Sequence, residues 1–178
     1  MNMTPRTRKF ALTAHVTASV GWLGAVAGFL ALAIAGLTSQ DAQMVRAAYL
    51  AMDLTGWFII VPLSFASLLT GLVQALGTDW GLFRHYWVLM KLLINILATL
   101  LLLLHMQPVS HVAGVAAEAT LSSADLRGLR SQLVADAGAA LVALLVATTL
   151  SVYKPRGLTR YGWRKRQEQR LAGPVPPA

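Results

Sequence analysis

The chain has 178 residues, of which 56% are apolar and only 12% are charged, whereas an average soluble domain has about 25% charged residues. Its 15 Lys and Arg against 7 Asp and Glu give a net charge of +8, so few charges are combined with a large positive excess. The absence of cysteine excludes disulfides, thiolate zinc sites, Fe–S clusters and cysteine nucleophiles, but it leaves histidine-ligated metals and haem open.

Long apolar stretches follow one another along the chain. No Asp, Glu, Lys or Arg occurs in residues 10–40 or 54–78, and Lys91 alone interrupts the run 86–106. Because about 20 apolar residues span a bilayer core, the pattern predicts transmembrane helices. We expect four of them, near residues 10–37, 54–77, 85–106 and 132–153, joined by external loops 38–53 and 107–131 that can themselves contain helical turns. The predicted fold is an all-α integral membrane four-helix bundle occupying residues 10–153.

The basic residues indicate how this bundle is oriented. They are concentrated in the amino-terminal segment 1–9, in the loop between the second and third helices, and in the tail 154–178. Eleven of the 15 lie there: Arg6, Arg8, Lys9, Arg84, Lys154, Arg156, Arg160, Arg164, Lys165, Arg166 and Arg170. Cytoplasmic loops of membrane proteins are enriched in Lys and Arg. Both termini are therefore expected in the cytoplasm.

The basic tail also carries aromatic residues, Tyr161 and Trp163, next to Arg164, Lys165 and Arg166. Amphipathic aromatics beside cations are typical of the headgroup region of a membrane. We therefore expect the tail to contact anionic lipid headgroups and not nucleic acid. The final segment 174–178 is rich in proline and is expected to be disordered.

Polar residues inside the predicted helices mark a candidate site. Lys91 lies seven residues beyond Arg84, about 10 Å along the helix, and His15 lies about 7–8 Å into the first helix. The two side chains therefore share one depth. A weakly polar stripe on the second helix, made of Ser64, Ser67, Gly71 and Gln74, can join them there. An ionisable residue inside a membrane is a functional candidate, although Lys91 can also extend its ammonium group to the interface. A lone histidine in helix packing is the corresponding alternative for His15.

Small residues at helical spacing give the first helix a second feature. They are Ala14, Ala18, Gly21, Ala25 and Gly28, beside His15, Trp22 and Phe29. Such a stripe lets another backbone or a flat ligand approach closely. The glycines can serve this purpose within the bundle or between copies of a homo-oligomer.

A further cluster of potential ligands is expected at the outer end of the bundle. It consists of His105, Met106 and His111 with Met52, Asp53 and Asp136. Imidazole, thioether and carboxylate groups suit copper, although no fixed spacing defines a coordination geometry. Interface histidines and methionines without a metal are the alternative.

The motifs together resemble a known group of proteins. Gly21-Trp22-Leu23-Gly24 follows a histidine, Leu69-Thr70-Gly71-Leu72 follows Pro62, and Tyr86-Trp87-Val88-Leu89-Met90-Lys91-Leu92-Leu93 begins a helix that ends at His105. Residues 10–106 resemble the bacterial membrane bundles that include copper-resistance protein D and the HemJ-type protoporphyrinogen oxidases. The whole chain looks most like an uncharacterised family of small actinobacterial integral membrane proteins, a domain of unknown function.

The resemblance implies a haem b site and assigns roles to residues. His15 is then the iron ligand, Lys91 is a propionate partner or catalytic proton donor, and His105 is a further iron-ligand candidate. The expected cofactor-binding residues are His15, Trp22, Gln74, Arg84, Lys91 and His105. A single neutral imidazole beside small residues is chemically able to hold haem.

Three functions therefore remain open. The first is a haem-binding membrane oxidoreductase or electron-transfer protein that exchanges electrons with a quinone or another redox partner. The second is a copper-handling protein or a small-solute transporter. The third is a cofactor-free membrane scaffold. The sequence has no phosphate loop and no nucleophile–base pair, which disfavours hydrolases and ATPases.

Overall fold

The computed structural model describes residues 3–77, 82–118, 124–153, 155, 157–171 and 173, and within this part of the chain it is helical with no β-strand. The helices are α1 (Pro5–Thr38), α2 (Ala42–Thr55), α3 (Val61–Gly77), α4 (Tyr86–Ala117), α5 (Ala124–Tyr153) and α6 (Arg160–Leu171). The basic residues Lys154 and Arg156 and the predicted disordered end at 174–178 lie outside the described residues.

The second membrane helix is longer than the sequence analysis predicts. It runs without a break from Ala42 to Gly77, and a π-helical turn at Gly56–Ile60 joins α2 to α3. The Asp41 carboxylate caps α2 by accepting a hydrogen bond from the Gln43 N–H at 2.9 Å. The π turn directly precedes Pro62, whose missing N–H already interrupts the regular bonding pattern. Within the predicted external connection 38–53, residues 42–53 are helical, and only three residues, 39–41, connect α1 to α2.

The third and fourth membrane helices also extend beyond their predicted ends. Helix α4 continues through Pro108 to Ala117, and α5 already begins at Ala124, so the predicted external loop 107–131 is mostly helical. The buried residues of this extension are Val109, Val112, Ala113 and Ala116, which continue the buried face from Met106 at steps of three or four. That spacing places them on one helix face, which packs inward and stabilises the additional turns.

Helix α6 is attached to the bundle by the segment before it. The Thr159 N–H donates to the Arg84 carbonyl at 3.1 Å, and the Thr159 hydroxyl donates to the Phe83 carbonyl at 2.5 Å. The same hydroxyl accepts from the Gly162 N–H at 3.1 Å and so caps α6. A side chain at Gly162 would collide with the Arg84 carbonyl, so only glycine permits this close approach. These bonds fix the start of α6 to the turn that precedes α4.

Four of the helical segments are long and apolar enough to cross a membrane: Pro5–Thr38, Ala42–Gly77, Tyr86–Ala117 and Leu126–Tyr153. Helix α1 packs against α2, α3 and α5, and α4 packs against the same three, so α1 and α4 lie diagonally across the bundle. Large apolar side chains such as Phe58, Leu104 and Val142 are exposed on the outside. Such a surface suits lipid and not water.

The interior of the bundle differs between its two ends. The loop end carries Thr38, Ala42, Ala117 and Ala124, and the terminus end carries Pro5, Gly77, Tyr86 and Tyr153. The continuous apolar core extends from the loop end to the middle of the bundle and includes Phe29, Tyr49, Met52, Val112 and Leu133. Toward the terminus end, buried polar side chains lie beside small buried alanines such as Ala11, Ala18 and Ala147; the polar ones are Ser64, Ser67, Asn95 and Thr99. Polar chemistry is therefore concentrated in the half of the bundle that carries the termini.

Candidate functional site

A cavity of about 120 Å³ lies in the polar half of the bundle and is partly open to the outside. Its walls come from α1, α3, α4 and the turn before α4. The polar or ionisable side chains that line it are His15, Gln74, Trp87, Lys91 and Asn95. The expected convergence of His15, Gln74 and Lys91 is thus observed in the geometry. We call this space the His15–Lys91 cavity.

His15 is held by α3 in a defined orientation. Its Nδ1 atom lies 3.2 Å from the Ser67 carbonyl oxygen and 3.1 Å from the Thr70 hydroxyl oxygen. The Thr70 hydroxyl donates its own proton to the Ala66 carbonyl at 2.5 Å, and a carbonyl only accepts. Nδ1 is therefore the protonated nitrogen, and in a neutral ring Nε2 carries a lone pair.

Gly71 makes this position of the imidazole possible. A Cβ atom at Gly71 would lie 3.1 Å from Cε1 of His15, closer than most carbon contacts. One turn away along α1, the Ser19 hydroxyl bonds the Ser67 hydroxyl at 2.8 Å. The contact between α1 and α3 at this depth is therefore made by hydrogen bonds and a glycine instead of interlocking apolar side chains.

Lys91 and Asn95 place two polar groups of α4 on the same side of the cavity. They are four residues apart and so lie on one helix face. No carboxylate of the described residues forms an ion pair with Lys91, and the Asn95 amide has no hydrogen-bond partner among them although only 8% of the residue is exposed. The cavity therefore offers a cation and a buried amide to a ligand.

The remaining predicted cofactor-binding residues lie elsewhere. Trp22 is buried in the apolar core, and Arg84 lies in the turn where its carbonyl accepts a bond from Thr159. His105 lies more than three helical turns beyond Lys91 on α4, toward the loop end. None of the three is among the described residues that line the cavity. Three of the six predicted cofactor-binding residues thus line the cavity, and the other three lie outside it.

His105 has both ring nitrogens engaged. Its Nε2 atom is 2.8 Å from a carboxylate oxygen of Asp136, and its Nδ1 atom is 2.7 Å from the Leu101 carbonyl oxygen. Both ring nitrogens thus face oxygen atoms of the protein, one of a carbonyl and one of a carboxylate. His105 presents neither nitrogen to the His15–Lys91 cavity.

The other members of the predicted outer cluster have separate environments. Met52 and Met106 are buried in the core, and the Asp53 carboxylate accepts from the Ser110 hydroxyl at 2.6 Å. Trp57 Nε1 in turn donates to the Ser110 hydroxyl at 3.1 Å. Across the described ranges, no three His, Asp or Glu side chains form a group that could hold a metal ion. Copper binding at the outer cluster therefore stays a prediction, without a three-residue set of His, Asp and Glu among the described residues.

Asn95, Thr70 and Trp87 belong to the site although they are not among the predicted site residues. Asn95 has a signal in the sequence, since it follows Lys91 by four positions and precedes Thr99 by four. Trp87 has the same signal, since it precedes Lys91 by four positions on α4, whereas the place of Thr70 depends on how α3 packs against α1. Comparison of the chain with protein-family models, curated proteins and solved structures gives no match. The family resemblance of the motifs accordingly stays a prediction.

Proposed function

We propose that this chain is a multi-pass protein of the bacterial cytoplasmic membrane with both termini in the cytoplasm. Four helices of sufficient length and hydropathy support the membrane location. The described basic residues near the terminus end, among them Arg6, Arg8, Lys9 and Arg84, outnumber Arg46, Arg127 and Arg130 near the loop end. Under the positive-inside rule this distribution supports a cytoplasmic terminus end.

We infer that the protein binds a small polar molecule, or the polar headgroup of a larger one, in the His15–Lys91 cavity. The observation that carries this inference is the convergence of His15, Gln74, Lys91 and Asn95 on one cavity inside a membrane bundle. Polar groups converging in an otherwise apolar pocket are the usual mark of a ligand site. Ligands small enough for a cavity of about 120 Å³ include a quinone headgroup, a transported small solute and an organic acid.

A co-purification experiment tests this function. The protein is purified in an uncharged detergent, and small molecules extracted from it are identified by mass spectrometry. Ala75→Trp should abolish the co-purified molecule, because Ala75 lines the cavity. Val142→Trp is the matched control, since Val142 is exposed on α5. Equal amounts of the same molecules in all three proteins would contradict a ligand site in the cavity.

Haem b with a redox role is the second candidate function. The observation that favours it is the bond from His15 Nδ1 to the Ser67 carbonyl, because metal-ligating histidines commonly donate their other nitrogen in this way. The space is unfavourable: drug-sized ligands occupy pockets of about 300–1,000 Å³, and this cavity is about 120 Å³. Haem therefore does not fit between α1, α3 and α4 as they stand, and we derive no chemical step through it.

A visible spectrum of the purified protein, oxidised and then reduced with dithionite, tests the haem proposal directly. A Soret band that shifts on reduction and weakens in His15→Ala, but not in His105→Ala, would support it. A colourless preparation from cells supplied with ample haem would contradict it. Metal analysis of the same sample tests copper handling, and the scaffold hypothesis gains if ligand, haem and copper are all absent.

Anionic lipid headgroups are the proposed partners of α6. Tyr161 and Trp163 are exposed, as are the cations Arg160, Arg164, Lys165 and Arg166. Lys165 Nζ lies 5.8 Å from the Tyr161 ring centroid, so a cation and an aromatic side chain are presented together. Clusters of Lys and Arg next to a membrane helix attract anionic lipids.

A further inference from the structure

We propose that the His15–Lys91 cavity binds the carboxylate of a compact organic acid, with the Lys91 ammonium group and the Asn95 amide as its recognition groups. This inference rests on the proposed ligand-binding function and names its chemical class. Three independent features of the cavity lead to it: an uncompensated cation, an unpartnered buried amide and an apolar wall.

Lys91 is the first feature. It lies in the second turn of α4, close to the helix N-terminus, where the helix dipole creates a positive potential. No described carboxylate pairs with it: Asp41, Asp53, Glu118 and Asp136 belong to the loop-end half of the bundle, and Glu168 is exposed on α6. A charge inside a membrane protein is stable when it is paired, so a carboxylate ligand in the cavity would supply the negative charge that the described residues lack near Lys91.

Asn95 is the second feature. Its residue is more than nine-tenths buried, it lines the cavity, and no described residue bonds its side-chain amide. Because Asn95 lines the cavity, this amide is open to a ligand. A carboxylate has two acceptor oxygens, which can receive one bond from the Lys91 ammonium group and one from the Asn95 amide nitrogen. One ligand group thereby satisfies both side chains.

The remaining wall is the third feature. It is formed by apolar side chains: Leu68, Ala75, Leu82, Val88 and Leu92. These groups gain contacts from a hydrocarbon body, whereas inorganic phosphate or sulfate would lose hydration against them. The shared chemistry is a carboxylate on an apolar body. It can come from a water-soluble acid or from a fatty acid of the surrounding leaflet.

Calorimetric titrations of the full-length protein in dodecyl maltoside test this assignment and distinguish the two sources. Benzoate represents the soluble acids, and decanoate represents the fatty acids. Benzamide and decanol are the uncharged comparators of similar shape. Wild-type protein is expected to bind at least one of the two anions saturably and to prefer it to its comparator by roughly tenfold or more, as for other desolvated charge contacts. The tighter of the two anions identifies the source.

Two variants test the recognition groups. Lys91→Met and Asn95→Leu keep the approximate volume of each side chain and should weaken anion binding, Lys91→Met by roughly tenfold or more. Lys91→Arg should restore part of the affinity, because it keeps the charge. Lys9→Met, which removes an exposed lysine of α1, is the control and should bind like wild type.

The outcomes separate this proposal from the broader function. Binding of benzamide or decanol as tightly as the anions, with Lys91→Met unchanged, overturns the carboxylate assignment while leaving a ligand site in the cavity. Saturable binding of neither anion also overturns it. A co-purified ligand that is lost in Ala75→Trp but lacks a carboxylate would support the function and contradict this inference.

Discussion

Individual polar side chains hold the ends of these apolar helices together. At the loop end, Arg130 of α5 donates from Nε to the Tyr49 hydroxyl at 2.8 Å and from a terminal nitrogen to the Gly36 carbonyl. Its guanidinium carbon also lies 5.4 Å from the Tyr49 ring centroid. Gly36 belongs to the last turn of α1, where carbonyls lack helical partners. One side chain thus ties α1, α2 and α5.

Replacement of Arg130 should therefore destabilise the bundle. Arg130→Met leaves the Tyr49 hydroxyl and the Gly36 carbonyl without their donor, and we expect the free energy of unfolding to fall by roughly 1–3 kcal/mol. Arg130→Lys should recover little, because an ammonium group does not reproduce the fork of the guanidinium. Unfolding by SDS in mixed micelles measures the change. Arg127→Met, at an exposed position of the same helix, should have no effect, and equal losses in both variants would contradict this role.

Gly36 is also required for steric reasons. A Cβ atom there would lie 2.8 Å from Cζ of Tyr49, a ring that is only 1% exposed and cannot move freely. Gly36→Ala should lower the free energy of unfolding by roughly 1–3 kcal/mol through overpacking. Gly24→Ala is the matched control, since no atom lies within 4 Å of its Cβ position, and it should be neutral or stabilising. The same unfolding assay checks both, and a stable Gly36→Ala protein would refute the contact.

The sequence predicts the position of a residue well where that position depends on one helix alone. The depths of His15 and Lys91 follow from the rise per residue, and both side chains do line one cavity. The pairing of Arg130 with Tyr49 is different, because 81 residues separate them and their contact depends on how three helices pack. The same reason explains why His105 was expected at a haem but lies against Asp136.

At the scale of elements, the class and number of the membrane helices could be predicted, but their ends could not. Polar residues such as Asp53 and His105 were interpreted as the start or end of a helix. In the structure they lie within continuous helices, where Ser110 and Asp136 bond them. The sequence did contain a signal for a helix before Asp53. Ala48, Tyr49 and Met52 follow Val45 by three, four and seven positions, which is the spacing of one helix face, and all four are buried.

The attachment of α6 depends on Thr159. Thr159→Val keeps the shape of the side chain but removes the bonds to the Phe83 carbonyl and the Gly162 N–H. We expect faster amide hydrogen exchange in residues 160–171, because loss of a cap costs about 1 kcal/mol and the hydroxyl bond to the turn is lost with it, while the backbone bond from Thr159 to Arg84 remains. Hydrogen exchange with mass spectrometry measures this effect.

Thr149→Val provides the control for Thr159→Val. The Thr149 hydroxyl bonds only the Leu145 carbonyl of its own helix and is exposed, so exchange in α6 should stay at the wild-type rate. If Thr159→Val also left exchange in α6 unchanged, the described bonds would not be what holds this helix.

For the whole molecule, the orientation in the membrane is the main prediction. The chain has no cysteine, so single cysteines can be introduced without background. Lys9→Cys and Glu168→Cys report on the terminus end, and Arg46→Cys and Glu118→Cys report on the loop end. In intact spheroplasts, a membrane-impermeant maleimide should label only the second pair, and lysis should expose the first. The reverse pattern, or labelling of all four in intact cells, would contradict cytoplasmic termini.

The uneven interior gives the two ends of the bundle different mechanical properties. Close-packed apolar side chains resist deformation, whereas side chains around a cavity lack contacts on one side and yield more easily. Fluctuations in helix separation are therefore expected to be larger at the terminus end, and a ligand bound as proposed would exchange from that compartment while the loop end stays closed. A bundle that opens at one end only admits a ligand without forming a continuous aqueous path. Under the proposed function, each exchange would then preserve the ion gradient across the bilayer.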